Sequence, residues 1–160
     1  MSNQAVIGIG DMKFVRQQGV LITYALGSCI GITLYDPVIR LAALIHIMLP
    51  EAKGHNADNI YKFADTGIHA TIKKMEVFGA RRDRIVVKIA GGAKMFEVAA
   101  GSSVGNIGDR NTESVKRVLR KEGLKIVKES TGSNYARTML IDAATGEVKI
   151  RSFGRPELIL

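Results

Sequence analysis

Residues 20–50, VLITYALGSCIGITLYDPVIRLAALIHIMLP, give the clearest indication of the fold class. This stretch contains three short apolar segments, VLITYAL (20–26), CIGITLY (29–35) and LAALIHIML (41–49), separated by Gly, Asp and Pro. Apolar runs of this length, rich in β-branched residues and bounded by turn-forming residues, are typical of β-strands. The sequence therefore predicts a set of consecutive strands in this part of the chain.

Further apolar segments extend the strand pattern in both directions. AVIGIG (5–10) precedes the central stretch, so four strands are predicted between residues 4 and 53. The later predicted strands are RIVVKIA (84–90), LKIVKES (124–130), ARTMLIDA (136–143) and EVKIRSF (147–153), the last two forming a hairpin across Ala144-Thr145-Gly146. The apolar chain end, Glu157 to Leu160, is expected to pack on the domain or on a partner.

A helix is predicted at 59–78. Apolar residues recur there every three or four positions, which places them on one stripe of a helix. Asn56 or Asp58 is the expected N-cap, and Gly79 is expected to end the helix.

A second helix is predicted at 112–122, after a Gly- and Ser-rich loop at about 101–110. Asn111 is the expected N-cap, because its side chain can accept a hydrogen bond from the free backbone N–H groups of the first turn. The buried side of this helix is predicted to consist of Val115, Val118 and Leu119, and Gly123 follows its end.

Eight predicted strands and two predicted helices do not alternate regularly, as they would in a doubly wound fold. The prediction is an α+β protein: a strand-rich single domain covering residues 1–160, with two packed β-sheets flanked by two main helices. A length of 160 residues suits one core. The composition, 46% hydrophobic and 24% charged, is that of an ordinary globular protein.

The composition also indicates the setting of the protein. One cysteine cannot form an internal disulfide, and the amino terminus lacks the features of a secretory signal, so a cytoplasmic protein is expected. The longest apolar run, 41–49, is too short to span a bilayer, so no membrane insertion is expected. The net charge of +8 favours acidic partners, although the densest basic segment, 116–128, is interpreted as a solvated surface.

Cys29 follows Gly27 and Ser28 at a turn between two predicted strands. These small neighbours leave the thiol approachable and leave backbone N–H groups free to stabilise an oxyanion, so Gly27 and Ser28 are candidate substrate-binding or oxyanion residues. His46 lies within a predicted strand, where alternation places it on the same face as Leu44. A thiol and an imidazole on adjacent strands are the minimum for covalent acyl chemistry.

Other interpretations stay open at the level of local sequence. A lone cysteine in an apolar run is more often a buried filler, and a histidine in an apolar strand is more often a hydrogen-bonded core residue. A nucleic-acid-binding domain has little support, because the chain shows no recognisable motif and few aromatic side chains to stack on bases. A zinc site has little support either, because one cysteine and three histidines show no ligand-pair spacing.

The segment TYALGSCIGITLYDP (23–37), followed by HIMLP (46–50), resembles the start of the CheD family, the chemoreceptor glutamine deamidases. The Gly-Ser-Cys turn with the downstream His-x-Met-Leu-Pro is the specific part of this resemblance. One departure is Ser133, where the family more often has a second glycine. The resemblance continues in family order over nearly the whole chain, through YKFAD (61–65), KIAGGAKMF (88–96), NIGDRN (106–111), TGSNYAR (131–137) and TGEVKIR (145–151).

This resemblance implies an enzyme, a protein-glutamine glutaminase that converts glutamine side chains of methyl-accepting chemotaxis receptors to glutamate and releases ammonia. It implies Cys29 as the nucleophile, His46 as the general base and Thr23 as the residue that orients the histidine, with no cofactor and no metal. The implied partners are the cytoplasmic helices of the receptor and the chemotaxis phosphatase CheC. The alternative is a non-catalytic chemotaxis adaptor that binds CheC or receptor helices through the same cleft, and the presence of both Cys29 and His46 argues against it.

Overall fold

A computed structural model describes residues 3–55, 58–96 and 107–160. In these ranges the chain forms ten strands and two helices, and short 3-10 turns at 60–62 and 82–84 precede the first helix and the sixth strand. In chain order the elements are β1 Gln4–Val6, β2 Met12–Arg16, β3 Val20–Leu26, β4 Ile30–Asp36, β5 Leu41–Ile47, α1 Ala64–Val77, β6 Val86–Gly91, α2 Ile107–Lys121, β7 Ile126–Thr131, β8 Arg137–Asp142, β9 Val148–Arg151 and β10 Leu158–Ile159.

The strands form two five-stranded sheets. The first sheet has the order β1-β3-β8-β9-β10, and the second has the order β2-β5-β4-β6-β7. Pairing is antiparallel except between β1 and β3 and between β6 and β7. The α+β architecture with two sheets and two main helices, predicted from the sequence, is confirmed.

The second sheet is the middle layer, with the helices on one face and the first sheet on the other. Strand β5 shows how the sequence produces this layering, because its side chains alternate between the two faces. Ala43 and Ile45 pack in the core shared with α1 and α2, whereas Ala42 and Leu44 pack in the core between the sheets. Every residue of β5 is buried, and each fully buried aliphatic side chain contributes about 1.5–3 kcal/mol.

Helix α1 begins later than the periodicity predicts. Phe63 is in an extended conformation and forms a bridge with Leu49, so the chain breaks between the 3-10 turn and the helix proper. The predicted cap Asn56 lies outside the described residues. Asp58 does not cap α1; Asn59 instead accepts a hydrogen bond at the start of the 3-10 turn. Gly79 follows the helix end with a φ of 101°, as expected.

Helix α2 begins earlier than predicted, at Ile107, so Asn111 is not its N-cap. Asn111 lies inside the helix and is fully buried, and its side chain binds backbone carbonyls of other segments. The predicted loop is helical from residue 107 onwards, and its earlier part, 101–106, lies outside the described residues. Tertiary contacts have therefore overridden the local preference of asparagine for a cap.

The eight predicted strands are found, although the first spans only Gln4–Val6. Two further strands were not predicted: Met12–Arg16, which pairs with β5, and Leu158–Ile159, which pairs with β9. The C-terminal hairpin is confirmed, with Gly146 at a φ of 78° in its turn. The apolar chain end packs on the protein itself, because β10 pairs with β9 and Leu160 contacts the core between the sheets. Within the described residues, neither helix has the length and apolarity needed to cross a bilayer.

Candidate active site

Cys29 lies in the turn that leads from β3 of the first sheet into β4 of the second sheet. Its side chain is half-buried against the core between the sheets. Strand β3 carries a bulge just before this turn, where Ala25 has a φ of 58°. Bulges commonly re-aim the chain beside active sites, and this one directs the backbone out of the first sheet towards the second.

Donors from outside the turn bind each of its three backbone carbonyls. Ala93 N–H donates to Gly27 O at 2.8 Å, and Gly92 N–H donates to Cys29 O at 2.9 Å. Asn111 Nδ2 donates to Ser28 O at 2.9 Å. The turn is therefore held rigidly through its carbonyl groups.

His46 lies on β5 directly opposite Gly31 of β4, on the face that points to the first sheet. Cys29 precedes Gly31 by two positions, and alternation puts both on that same face. Residues in such a diagonal relation are typically about 7–8 Å apart, and their Cβ atoms lie somewhat closer. Gly31 has no side chain to stand opposite the imidazole, and an added Cβ would lie 2.9 Å from Met139 Sδ. The fold thus places Cys29, just before β4, and His46, on the neighbouring strand β5, on the same face of the second sheet.

Thr23 reaches His46 from the opposite sheet. Its Oγ1 lies 2.7 Å from His46 Nδ1 and 2.6 Å from the backbone carbonyl of Ile7. A hydroxyl has one proton to donate. Since the Ile7 carbonyl can only accept, Thr23 donates to it and must accept from His46 Nδ1–H. This arrangement selects the imidazole tautomer in which Nε2 carries the free lone pair.

Burial governs the charge of both groups. Desolvation lowers the pKa of His46 from 6.5 to about 4, and it raises the pKa of the Cys29 thiol. At neutral pH the resting pair is therefore a neutral thiol and a neutral imidazole. His46 Nε2 is buried and has no hydrogen-bond partner among the described residues. The lone pair of His46 Nε2 is therefore available to accept a proton.

The candidate oxyanion residues differ in what they can donate. Gly27 N–H is already donated to Ala25 O at 3.0 Å, and an added Cβ at Gly27 would lie 3.1 Å from Met95 Cγ. Within the described ranges, the N–H groups of Ser28 and Cys29 donate no hydrogen bond. Among the described contacts, the backbone N–H groups left available in this turn are therefore those of Ser28 and Cys29.

The sequence did not predict that Asn111 contacts the Cys29 turn, because an asparagine before an apolar helical stripe is typical of an N-cap. Its Nδ2 also donates to Met48 O at 3.0 Å. A cavity of about 740 Å³ adjoins this contact, between the end of β5 and the first turns of α2, and Leu49 and Arg110 are among its lining residues. In the described part of the chain, no group of three or more His, Cys, Asp and Glu side chains is placed to hold a metal ion.

Comparison with known proteins decides the family. The family model for CheD chemotactic sensory transduction matches residues 48–152, more than half of the chain. The chain belongs to the CheD family. The matched range begins after His46, so the three candidate catalytic residues of this CheD chain lie outside it.

Full-length CheD relatives extend the similarity over those residues. The chain is 44% identical to a probable chemoreceptor glutamine deamidase CheD of Syntrophomonas wolfei, over 100% of both chains. It is 44% identical to the protein of the same name from Caldanaerobacter subterraneus, over 92% of both chains. An archaeal protein with that name, from Pyrococcus abyssi, is 40% identical over 94% of this chain and 93% of its own.

Proposed function

We propose that this protein is a chemoreceptor glutamine deamidase in which Cys29 is the nucleophile, His46 the general base and Thr23 the residue that orients the imidazole. The observation that carries the proposal is the hydrogen-bond chain from the Ile7 carbonyl through Thr23 to His46 Nδ1. That chain leaves Nε2 unprotonated, on the face of the sheet where Cys29 lies. The names of the full-length relatives supply the substrate class.

The first half of the reaction forms a thioester. His46 Nε2 takes the proton from Cys29 Sγ as the sulfur attacks the carboxamide carbon of a glutamine side chain. The carbonyl oxygen becomes an oxyanion, which accepts hydrogen bonds from the free N–H groups of Ser28 and Cys29. Protonated His46 then gives its proton to the amide nitrogen, the C–N bond breaks, and ammonia leaves.

The second half hydrolyses the thioester. Neutral His46 takes a proton from water, and the hydroxide oxygen attacks the thioester carbon. The second oxyanion uses the same backbone donors, and its collapse breaks the C–S bond. His46 returns the proton to the Cys29 sulfur, so the enzyme is regenerated and the side chain has become glutamate.

The three groups have separate tasks that fit their surroundings. Burial makes a separated thiolate and imidazolium unfavourable, so proton transfer is coupled to attack rather than completed beforehand. Thr23 accepts from Nδ1–H, and this hydrogen bond strengthens when His46 becomes positively charged. The role resembles that of the third residue in other catalytic triads.

The substrate partner is proposed to be the helical cytoplasmic part of a chemoreceptor. The net charge of +8 favours encounter with an acidic helical surface, so added salt should slow the reaction. The partnership with CheC stays a prediction from the family resemblance.

Mass spectrometry of a chemoreceptor cytoplasmic fragment tests the proposal. Replacing a side-chain amide by an acid adds roughly one dalton per glutamine in this acyl chemistry. The wild-type protein should produce this gain at defined glutamines with release of ammonia, and Cys29→Ala and His46→Gln should abolish it. His69→Gln is the matched control, because His69 is an exposed histidine on α1 that pairs with Glu122.

Two outcomes would contradict the proposal. Deamidation that persists in Cys29→Ala would exclude the cysteine as nucleophile. A receptor fragment that binds the wild-type protein and gains no mass would favour the adaptor. Circular dichroism of each variant shows that lost activity is not lost folding.

A further inference from the structure

Asn111 connects the two segments that carry the candidate nucleophile and base. It is the fifth residue of α2 and is fully buried. Its Nδ2 donates one hydrogen bond to Ser28 O at 2.9 Å and another to Met48 O at 3.0 Å. Ser28 immediately precedes Cys29, and Met48 follows His46 by two positions.

The two acceptors decide the orientation of the Asn111 amide. Both are backbone carbonyl oxygens, which can only accept, and an amide NH₂ has two protons to donate. The opposite orientation would place the amide oxygen against two other oxygens. The side chain is therefore held as a double donor between the segments.

The hydrogen bond to Ser28 O also orients the next N–H group. The peptide unit between Ser28 and Cys29 is trans and planar, as the described chain has no cis peptide bonds. In such a unit the C=O and the N–H point in opposite directions. By drawing the Ser28 carbonyl towards α2, Asn111 directs the Cys29 N–H away from α2.

That direction matters because of the layer order. Helix α2 packs on the face of the second sheet that carries Ile45 and Ile47, and His46 lies on the other face. The Cys29 N–H is thus directed towards the side of the sheet where the imidazole lies. The preceding peptide unit, between Gly27 and Ser28, is held by the hydrogen bond from Ala93 N–H to Gly27 O.

We propose that Asn111 is a positioning residue for deamidation, which fixes the Cys29 N–H as an oxyanion donor and joins the nucleophile turn to the end of the strand carrying His46. This inference rests on the proposed function, in which Cys29 forms the thioester. It assigns to Asn111 an effect on the transition state, since the oxyanion exists only there and in the adjacent tetrahedral intermediates.

Ser114 provides a matched control on the same helix. It is also buried, and its Oγ donates to Pro50 O at 2.7 Å, in the segment that follows β5. It is not hydrogen-bonded to the nucleophile turn among the described contacts. Loss of either side chain removes buried hydrogen bonding between α2 and this part of the protein, but only loss of Asn111 frees the Ser28 carbonyl.

The experiment compares Asn111→Ala with Ser114→Ala on the receptor fragment, measuring kcat, KM and thermal unfolding. Removing an oxyanion donor typically lowers kcat by a factor on the order of a hundred or more. Asn111→Ala displaces such a donor without removing it, so kcat should fall by up to that factor with KM little changed, whereas Ser114→Ala should keep kcat within a few-fold. Asn111→Ser, which keeps one donor, should lie between them and serves if the alanine variant does not fold.

Alkylation of Cys29 by iodoacetamide separates positioning from a general structural effect. Alkylation passes through no oxyanion, so its rate in Asn111→Ala should fall far less than kcat does. Equal losses of kcat in the Asn111 and Ser114 variants, or equal losses of alkylation and kcat in Asn111→Ala, would overturn the inference. An active Cys29→Ala variant would instead overturn the proposed function itself.

Discussion

Replacing Thr23 with valine is expected to slow deamidation and to destabilise the fold, because valine keeps the shape of threonine and removes only its hydroxyl. The hydroxyl is fully buried and makes two hydrogen bonds, to the Ile7 carbonyl and to His46 Nδ1. In Thr23→Val both partners lose their hydrogen bond inside the protein. The tautomer that leaves Nε2 unprotonated is no longer selected.

The magnitudes follow from those two contacts. Each buried group left unsatisfied costs about 1–3 kcal/mol, so the free energy of unfolding should fall by about 2–6 kcal/mol. In the transition state His46 is an imidazolium, and a hydrogen bond to a charged group contributes about 1.5–3 kcal/mol. The neutral hydrogen bond of the ground state already contributes about 0.5–1.5 kcal/mol, so the transition state loses only about 1–1.5 kcal/mol more than the ground state, and kcat should fall about 5- to 13-fold.

The assay is the initial rate of ammonia release from the receptor fragment, with unfolding in urea measured on the same samples. Thr23→Ser is the control: it keeps the hydroxyl and should retain most of kcat while losing stability from one missing methyl group. A Thr23→Val variant that is folded and has the kcat of the wild type would refute the assignment of Thr23 and, with it, the argument for the His46 tautomer.

Three further outcomes are expected from other parts of the structure. Because burial holds the pKa of His46 at about 4, below its ordinary 6.5, the unfolded state binds more protons than the folded state between these pH values, and stability should fall as the pH falls from 6.5 towards 4. In urea unfolding at acid and neutral pH, His46→Gln should remove up to about 3 kcal/mol of this acid sensitivity. Equal acid sensitivity of the variant and the wild type would contradict this expectation. Gly91→Ala would place a Cβ in collision with the backbone carbonyl oxygen of Cys29, so both activity and thermal stability should drop. Gly123→Ala, at a φ of 79° with open space around it, should lose stability alone. Similar kcat values for the two variants would count against the rigid turn. Asp36→Asn should lower the free energy of chemical unfolding by about 3–5 kcal/mol with kcat unchanged, because the fully buried carboxylate accepts hydrogen bonds from Nε and Nη2 of Arg84 at 3.0 and 2.8 Å. Adding Arg84→Met should recover part of the loss. A double variant whose loss equals the sum of the two single losses would show that the pair is not coupled.

Much of the fold follows from patterns along the chain. The alternation in 41–49 predicted a strand with two distinct faces, and the apolar stripe in 59–78 predicted a helix; both were found. Strand β2 was missed because its residues, Met12–Arg16, mix charged and apolar side chains at the edge of a sheet, where only one side is paired. The break before α1 was missed because it results from the bridge between Phe63 and Leu49.

The departure from the family pattern at Ser133 has a structural counterpart. Gly132 and Ser133 have φ values of 80° and 61°, both in the left-handed region. Glycine adopts this region without strain and serine does so at a cost. Ser133→Gly is therefore compatible with the backbone of this loop.

Sequence patterns alone were enough to predict the α+β class, the strands of residues 20–50, and a cysteine between small residues with a histidine on a following strand. These features depend on periodicity and composition over a few consecutive residues. The tautomer of His46 and the position of Asn111, in contrast, depend on contacts between segments that are distant in the chain. Thr23 contacts His46 from another sheet, and Asn111 contacts Ser28 across 83 positions, so both contacts exist only once the layers have packed. Since a hydroxyl has one proton, the contact of Thr23 fixes which nitrogen of His46 keeps its lone pair. Since a peptide unit is planar, the contact of Asn111 fixes the direction of the Cys29 N–H.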